Sequence, residues 1–149
     1  MPNFSLMKSM HKTKLALIGA GTIGQRHLNA MSQVEEAELT AIVDNQPQVE
    51  SMAVEMNVPF FHTTEEMLRV QKPEGVIVCT PTQIHLDPVL SSLNAGVHVL
   101  VEKPITSTMK EAQEIIKTSQ TVSREVLVGH HRRYYGTIQE TRTMIHERV

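Results

Sequence analysis

The hydrophobic pattern of this chain alternates between short unbroken apolar runs and longer stretches with helical spacing. The runs consist mainly of Val, Ile and Leu, and they lie at residues 14–19, 39–43, 76–79, 97–101 and 125–128. A weaker run covers residues 59–62. Unbroken runs of this kind are typical of strands that are buried on both faces of a parallel sheet. The pattern therefore predicts about six strands.

The stretches between the runs predict helices, because apolar residues recur there on one helical face. The three predicted faces are Val49, Met52, Ala53 and Met56; Leu86, Val89, Leu90 and Leu93; and Met109, Ala112, Ile115 and Ile116. Two capping boxes, Thr63-x-x-Glu66 and Thr108-x-x-Glu111, predict helix starts. Pro47 and Pro88 suit first helical turns, where a missing N–H is harmless.

Strands that alternate with helices predict right-handed crossovers and a Rossmann-type, doubly wound parallel α/β sheet with helices on both faces. The chain has 149 residues, which suits one domain with a core, and we assign residues 13–149 to it. Residues 1–12 contain no apolar segment of signal-peptide length, so we expect a short flexible tail.

Composition narrows the classes of partner. The formal net charge is −2, which argues against nucleic acid or an anionic membrane as the main partner. No run approaches 18 apolar residues, so no transmembrane helix is expected. Cys79 is the single cysteine, which fits a reducing cytoplasm, and we interpret it as a small buried hydrophobe. The eight histidines show no ligand spacing, and we predict no metal site.

A glycine-rich turn follows the first predicted strand and opens the first predicted helix, with the sequence Gly19-Ala-Gly-Thr-Ile-Gly24. Gly19 permits a tight turn, Gly21 lets a pyrophosphate approach the backbone, and Gly24 lets helix and strand pack closely. A helix N-terminus exposes unpaired N–H groups that bind phosphate. We therefore predict a dinucleotide site that includes Gly19, Gly21, Thr22, Ile23 and Gly24.

Asp44 ends the second predicted strand, twenty residues after Gly24. A carboxylate at this place accepts hydrogen bonds from the ribose hydroxyls and repels the additional phosphate of NADP. The following residues, Asn45 and Gln46, offer no arginine for that phosphate, so NAD is favoured over NADP. The alternative is that Asp44 caps the helix that begins near Pro47.

Two further segments follow predicted strands and reach the same sheet edge as the glycine turn. Thr80-Pro81 follows the strand at 76–79, and Glu102-Lys103-Pro104 follows the strand at 97–101. A lysine near a dinucleotide can orient a substrate hydroxyl and assist its proton transfer. The alternative for Glu102 and Lys103 is a solvated ion pair.

Four motifs together give the chain a family resemblance. They are the glycine turn, Thr80-Pro-x-x-x-His85, Ala95-Gly-Val-His-Val-Leu-Val-Glu-Lys-Pro104 and Gly129-His-His-Arg-Arg-Tyr134. In this order and spacing they resemble the Gfo/Idh/MocA oxidoreductases, over residues 13 to about 148. The resemblance implies a nicotinamide cofactor and hydride transfer at a secondary hydroxyl of a sugar, cyclitol or similar polyhydroxylated substrate.

The resemblance also implies roles for single residues. Lys103 matches the catalytic lysine, its bond to Pro104 is often cis in relatives, and Thr80, Pro81 and His85 match a segment that lines the cofactor. We add Glu102 and Lys103 to the predicted cofactor-binding residues. His85 has the alternative of capping or packing in the next helix, and His27 is expected to pack near the glycine turn. For residues 130–133 (His130, His131, Arg132 and Arg133), contact with cofactor or substrate and a solvated basic cluster remain equal alternatives.

Relatives of this family continue for about another domain and a half beyond a helix like residues 134–149. We therefore expect an N-terminal domain whose substrate domain is absent: a fragment, a truncated reading frame or one subunit of a split enzyme. Such a chain is expected to bind NAD with little turnover. Alternatives are a non-catalytic NAD sensor and, less favoured by the Glu-Lys-Pro motif, a methyltransferase that binds S-adenosylmethionine. Substrate identity and oligomeric state, including a homo-oligomer, stay open.

Overall fold

The computed structural model describes residues 11–147, so most of the expected N-terminal tail and the last two residues lie outside it. The strands are β1 (Thr13–Ile18), β2 (Ala37–Val43), β3 (Phe60–Phe61), β4 (Gly75–Val78), β5 (His98–Val101) and β6 (Val126–Val128). The helices are α1 (Thr22–Met31), α2 (Pro47–Glu55), α3 (Thr64–Gln71), α4 (Leu86–Asn94), α5 (Met109–Val122) and α6 (Gly136–Glu147). Short 3₁₀ turns lie at Thr82–Ile84 and His131–Tyr134.

The six strands form one parallel sheet in the order β3-β2-β1-β4-β5-β6. The chain leaves β1 in one direction towards β2 and β3, and later returns to the other side of β1 with β4. This reversal creates a crevice outside the carboxyl ends of β1 and β4, where ligands bind in sheets of this type. The Rossmann-type fold predicted from the sequence is confirmed, and strand boundaries differ from the prediction by one or two residues.

Two apolar layers cover the sheet, one on each face. Ala16 and Ile18 of β1 belong to the layer that includes Met67 of α3 and Ile115 of α5, whereas Leu17 belongs to the layer that includes α1 and α2. Neighbouring side chains of a strand point to opposite faces, so a strand with helices on both sides must be apolar throughout. This explains why the strands appear in the sequence as unbroken apolar runs.

The predicted helix starts are confirmed in most details. Pro47 is the first residue of α2, and Pro88 lies in the first turn of α4. Thr108 and Glu111 form both hydrogen bonds of a capping box. At the start of α3, the Thr63 hydroxyl accepts a hydrogen bond from the Glu66 amide, which is one half of the predicted box.

The apolar face predicted for α5 is wrong at two positions. Ile115 is fully buried, but Met109 is 75% exposed and Ile116 is 53% exposed. Met109 is the first residue of the helix, directly after its cap, and Ile116 is rotated by one residue from the buried stripe. The buried stripe of α5 is therefore narrower than the sequence pattern predicts. Met56, the last residue of the apolar face predicted for α2, lies just outside that helix and is 42% exposed.

Candidate functional site

A crevice of about 960 Å³ lies outside the carboxyl ends of β1, β2 and β4. Most of the residues predicted to bind a cofactor line it, namely Gly19, Gly21, Thr22, Ile23, Asp44, Thr80 and Pro81. The remaining predicted residues, Gly24, His85, Glu102 and Lys103, lie outside this lining. The first three of those are buried, while Lys103 is exposed and lines a second cavity.

The three glycines of the turn occupy very different surroundings. Gly19 has φ +87°, and a Cβ atom at this residue would lie 2.7 Å from the backbone nitrogen of Thr80. A Cβ at Gly24 would lie 2.2 Å from the carbonyl oxygen of Gly19. At Gly21 nothing lies within 4 Å of that position. The tight turn at Gly19 and the close packing at Gly24 are confirmed, and the space beside Gly21 is free for a ligand.

The first turn of α1 is left open towards the crevice. Gly21 is its N-cap residue, and no side chain caps it. The hydroxyls of Thr63 and Thr108 cap α3 and α5, whereas α2 and α4 resemble α1 in having no side-chain cap. The first N–H groups of a helix have no partner within the helix, and they carry a positive partial charge. Since Thr22 and Ile23 of this turn line the crevice, it offers donors to an anionic group.

Asp44 has a role that the sequence interpretation missed, because its carboxylate holds the glycine turn in place. Oδ2 accepts a hydrogen bond from the Ala20 amide at 2.8 Å. Oδ1 accepts from the amides of Asn45 at 2.8 Å and Gln46 at 3.0 Å. The N-cap residue of α2 is Gln46, so the alternative of Asp44 as its N-cap is wrong. A carboxylate has about four acceptor positions, so one remains for a ligand in the crevice.

Thr80 presents a buried hydroxyl at the crevice. Its Oγ1 is buried and has no hydrogen-bond partner within residues 11–147. A buried polar atom without a partner costs about 1–3 kcal/mol, so such atoms normally have a partner in the protein or in a bound molecule. Other atoms of Thr80 line the crevice, so this residue lies next to the ligand space although its hydroxyl is buried.

The thiol of Cys79 is not prepared for nucleophilic chemistry. Burial, together with the negative charge of Glu102, raises its pKa to about 12. The thiol is therefore neutral near pH 7, and a neutral thiol is a poor nucleophile. Cys79 is half-buried and lines the crevice, so it is less buried than the sequence interpretation predicts, although it carries no activated thiol.

His85 connects two segments of the site through buried contacts. Its ring is 1% exposed, with Nε2 at 2.8 Å from the carbonyl oxygen of Thr80. Nδ1 lies 3.1 Å from the carbonyl oxygen of Pro104 and 3.2 Å from that of Ile105. The ring thereby connects the segment after β4 to the segment after β5. Packing, one of the two alternatives, is what the structure contains, and direct contact with a cofactor stays a prediction.

Glu102 lies at the centre of a second buried connection. The residue is 9% exposed, and its carboxylate accepts hydrogen bonds from Nε2 of His27 at 3.0 Å and from the Lys103 amide at 3.1 Å. Burial by itself would raise the pKa of Glu102, but these two bonds, together with the charges of His27 and His131, outweigh it and hold the pKa below its ordinary value. The carboxylate therefore links α1 to the end of β5. The alternative of a solvated pair with Lys103 is wrong for this side chain.

Lys103 follows β5 and precedes Pro104 through a cis peptide bond, as the resemblance implies. It lines a second cavity of about 350 Å³ together with Gly129, His130, His131, Arg132 and Arg133. The basic segment after β6 therefore lies beside Lys103, a neighbourhood that its position in the sequence only suggested.

Other types of site find little support in the described part of the chain. Across residues 11–147 there is no group of His, Cys, Asp and Glu side chains arranged to hold a metal ion. The helices of the same range are all too short or too polar to cross a membrane.

Comparison with known proteins places the chain among oxidoreductases. A family model described as an oxidoreductase family with an NAD-binding Rossmann fold matches residues 13–130. The chain is 32% identical to 4-carboxy-2-hydroxymuconate-6-semialdehyde dehydrogenase of Sphingobium, over 81% of this chain and 39% of the relative. It is 31% identical to glucose-6-phosphate 3-dehydrogenase of Bacillus subtilis, over 89% of this chain and 37% of the relative.

A solved structure, an NAD-binding protein from Listeria innocua, superposes with a TM-score of 0.86 at 25% identity. The superposition covers 93% of this chain and 41% of that one. The chain thus spans about two fifths of the length of these relatives. Since the family model matches most of its residues, the chain belongs to the Gfo/Idh/MocA oxidoreductase family, with the NAD-binding Rossmann fold.

Proposed function

We propose that this chain is the nucleotide-binding part of an NAD-dependent oxidoreductase. The reaction is hydride transfer between nicotinamide and a secondary hydroxyl, or the corresponding ketone, of a sugar, cyclitol or similar polyol. The observation that carries the proposal is the crevice, which the uncapped first turn of α1 and the residues Asp44 and Thr80 line together. The free space beside Gly21 is the space that a pyrophosphate needs.

Different residues of the crevice bind different parts of the cofactor. The N–H groups at the start of α1 bind the pyrophosphate, and the remaining acceptor position of Asp44 binds a ribose hydroxyl. Thr80 and Pro81 contact the nicotinamide half of the cofactor, which lies towards Lys103. The bound nicotinamide supplies the hydride acceptor or donor. Lys103 orients the substrate hydroxyl and carries its proton.

Preference for NAD over NADP follows from Asp44. Its carboxylate would lie close to the additional phosphate of NADP, and like charges repel. The neighbouring Asn45 and Gln46 carry no positive charge to offset that repulsion. The carboxylate also holds the glycine turn through the Ala20 amide, so it stays in place when the cofactor binds.

The substrate class is supported by relatives. One is a glucose-6-phosphate 3-dehydrogenase, and another is an inositol 2-dehydrogenase of Rhizobium meliloti that is 27% identical over 121 residues. Because this chain corresponds to about two fifths of such proteins, we propose that it binds NAD by itself and turns substrate over slowly or not at all. The single cysteine suits a reducing compartment, and we propose the cytoplasm.

Thermal unfolding with added ligands tests this function. A ligand at one hundred times its Kd stabilises the folded chain by about 2.7 kcal/mol, which corresponds to a rise in Tm of roughly 5–10 °C. We expect such a rise with NAD, a smaller one with NADP and none with S-adenosylmethionine. Equal protection by S-adenosylmethionine, or none by NAD, would refute the proposal. Rapid oxidation of inositol or glucose by this chain would refute the expectation of low turnover.

A further inference from the structure

The second cavity, which we term the basic cavity, differs in charge from the rest of the molecule. Its lining consists of Lys103, Gly129, His130, His131, Arg132 and Arg133. Apart from Gly129, every lining residue has a side chain that is a cation or can become one, whereas the whole chain has a formal net charge of −2. The cavity lies at the carboxyl ends of β5 and β6, beside the proposed catalytic lysine.

Carboxylates of the protein leave these cations without partners. Within residues 11–147, the ion pairs join His11 to Glu74 and His27 to Glu102, and none involves Lys103, Arg132 or Arg133. Glu102 is the acidic residue next to Lys103, but its carboxylate is buried and accepts hydrogen bonds from His27 and a backbone amide. The charges of Lys103, Arg132 and Arg133 are therefore available to a ligand, whereas His131 lies close enough to Glu102 to help lower the pKa of that carboxylate.

The shape of the cavity admits a small organic anion. Its volume of about 350 Å³ lies at the lower end of the range for small-molecule sites. Gly129 forms part of the wall, and a Cβ there would lie 2.9 Å from the Glu102 carboxylate, so a larger residue would disturb this wall. Guanidinium groups bind carboxylates and phosphates through paired hydrogen bonds, which ammonium groups cannot match in geometry.

We propose that the substrate carries a carboxylate or phosphate group, which Arg132 and Arg133 bind while Lys103 engages the reacting hydroxyl. The inference rests on the proposed function, because it places the substrate beside a dinucleotide in the crevice. It adds that the substrate is an acidic sugar derivative rather than a neutral polyol.

The test uses this chain saturated with NADH, so that anions cannot occupy the pyrophosphate position. Gluconate, glucose 6-phosphate and glucose are titrated separately, and binding is followed by the amide resonances of the chain. Charge-assisted hydrogen bonds predict that at least one of the two anions binds about ten- to a hundredfold more tightly than glucose. Tighter binding of gluconate identifies a carboxylate, and tighter binding of glucose 6-phosphate identifies a phosphate. Affinity for the anion should fall as salt is raised.

Variants locate the anion. The double variant R132Q/R133Q should lose about tenfold or more of the anion affinity, whereas R69Q, which removes an exposed arginine from α3, should keep it. Equal affinity for all three probes, or an equal loss in R69Q, would overturn the inference. If R132Q/R133Q loses NADH and anion affinity together, the arginines serve the cofactor and the inference is also wrong. Failure of the parent chain to bind NADH would instead refute the proposed function, and this inference with it.

Discussion

Alanine substitutions at Gly24 and Gly21, two glycines of the same turn, should separate an effect on folding stability from an effect on cofactor affinity. In Gly24→Ala, the new methyl group would lie 2.2 Å from the carbonyl oxygen of Gly19 and 3.1 Å from its carbonyl carbon. Both are backbone atoms, so neither can rotate away, and α1 must move away from the glycine turn. Overpacking of this severity costs about 3 kcal/mol. Alanine is about 1 kcal/mol better than glycine within a helix, which offsets part of this cost.

The net loss for Gly24→Ala is therefore about 2 kcal/mol, which lowers Tm by roughly 4–8 °C in a chain of this size. Gly21→Ala is the matched control. Nothing lies within 4 Å of its new methyl group, and φ at this residue is −64°, which alanine adopts freely. Its Tm should stay within about 3 °C of the parent chain, because alanine restricts the unfolded chain and so offsets its poorer N-cap preference.

Cofactor affinity should be affected in the opposite order, with the larger loss in Gly21→Ala. The methyl group of Gly21→Ala occupies the space through which the pyrophosphate approaches, so NADH affinity should fall about tenfold or more. Circular dichroism gives Tm, and NADH fluorescence gives Kd at a temperature where both variants are folded. Parental NADH affinity in Gly21→Ala would refute the assigned position of the pyrophosphate. An unchanged Tm in Gly24→Ala would refute the close packing of α1 on the turn.

Three further results are expected. Because the pKa of Glu102 is lower in the folded chain than its ordinary value, the ionised carboxylate stabilises the fold above that ordinary pKa, and this stability is lost as pH falls through the folded value. In Glu102→Gln the contribution is absent, so the free energy of unfolding in urea should change less between pH 3 and 7 than in the parent. Iodoacetamide at pH 8 should alkylate Cys79 far more slowly in the folded chain than in the unfolded chain, because raising the thiol pKa from 9.0 to about 12 lowers the thiolate fraction roughly a thousandfold. Equal rates of alkylation in the two states would contradict this. Asp44→Ala should lose about 1–2 kcal/mol in urea unfolding, because three backbone donors lose their acceptor. In fluorescence titrations the ratio of NAD affinity to NADP affinity should also fall, because the repulsion of the additional phosphate is gone, and an unchanged ratio would refute the role of Asp44 in selectivity.

The sequence predicted what depends on local pattern. Apolar runs located the strands because β4 is buried throughout and its neighbours are buried over much of their length, although Leu127 of β6 is 64% exposed. The spacing of Gly19 and Gly24 followed from the sterics of one turn. The exposure of Ile116 could not be predicted, because the width of a buried stripe depends on how the helix lies on the sheet edge.

Contacts between distant residues were also beyond the sequence pattern. His27 and Glu102 are 75 residues apart, and His85 is 19 residues from Pro104. Neither distance leaves a periodic signal, so these connections emerge only when parallel strands bring their carboxyl ends together. The bond from Ala20 to Asp44 belongs to the same class, although an acid at the end of the adjacent strand was a usable clue.

Mapping of NAD binding on the amide resonances of the ¹⁵N-labelled chain tests the central claim most directly. We expect saturable shifts that are largest at Gly21, Thr22 and Ile23, with further shifts at Asp44 and Thr80 and little change along the amino ends of the strands. At an NAD concentration near the Kd of the parent chain, the shifts should be several-fold smaller in Gly21→Ala. Absence of saturable shifts, or shifts that cluster away from the crevice, would contradict the assignment of the glycine turn as the dinucleotide site.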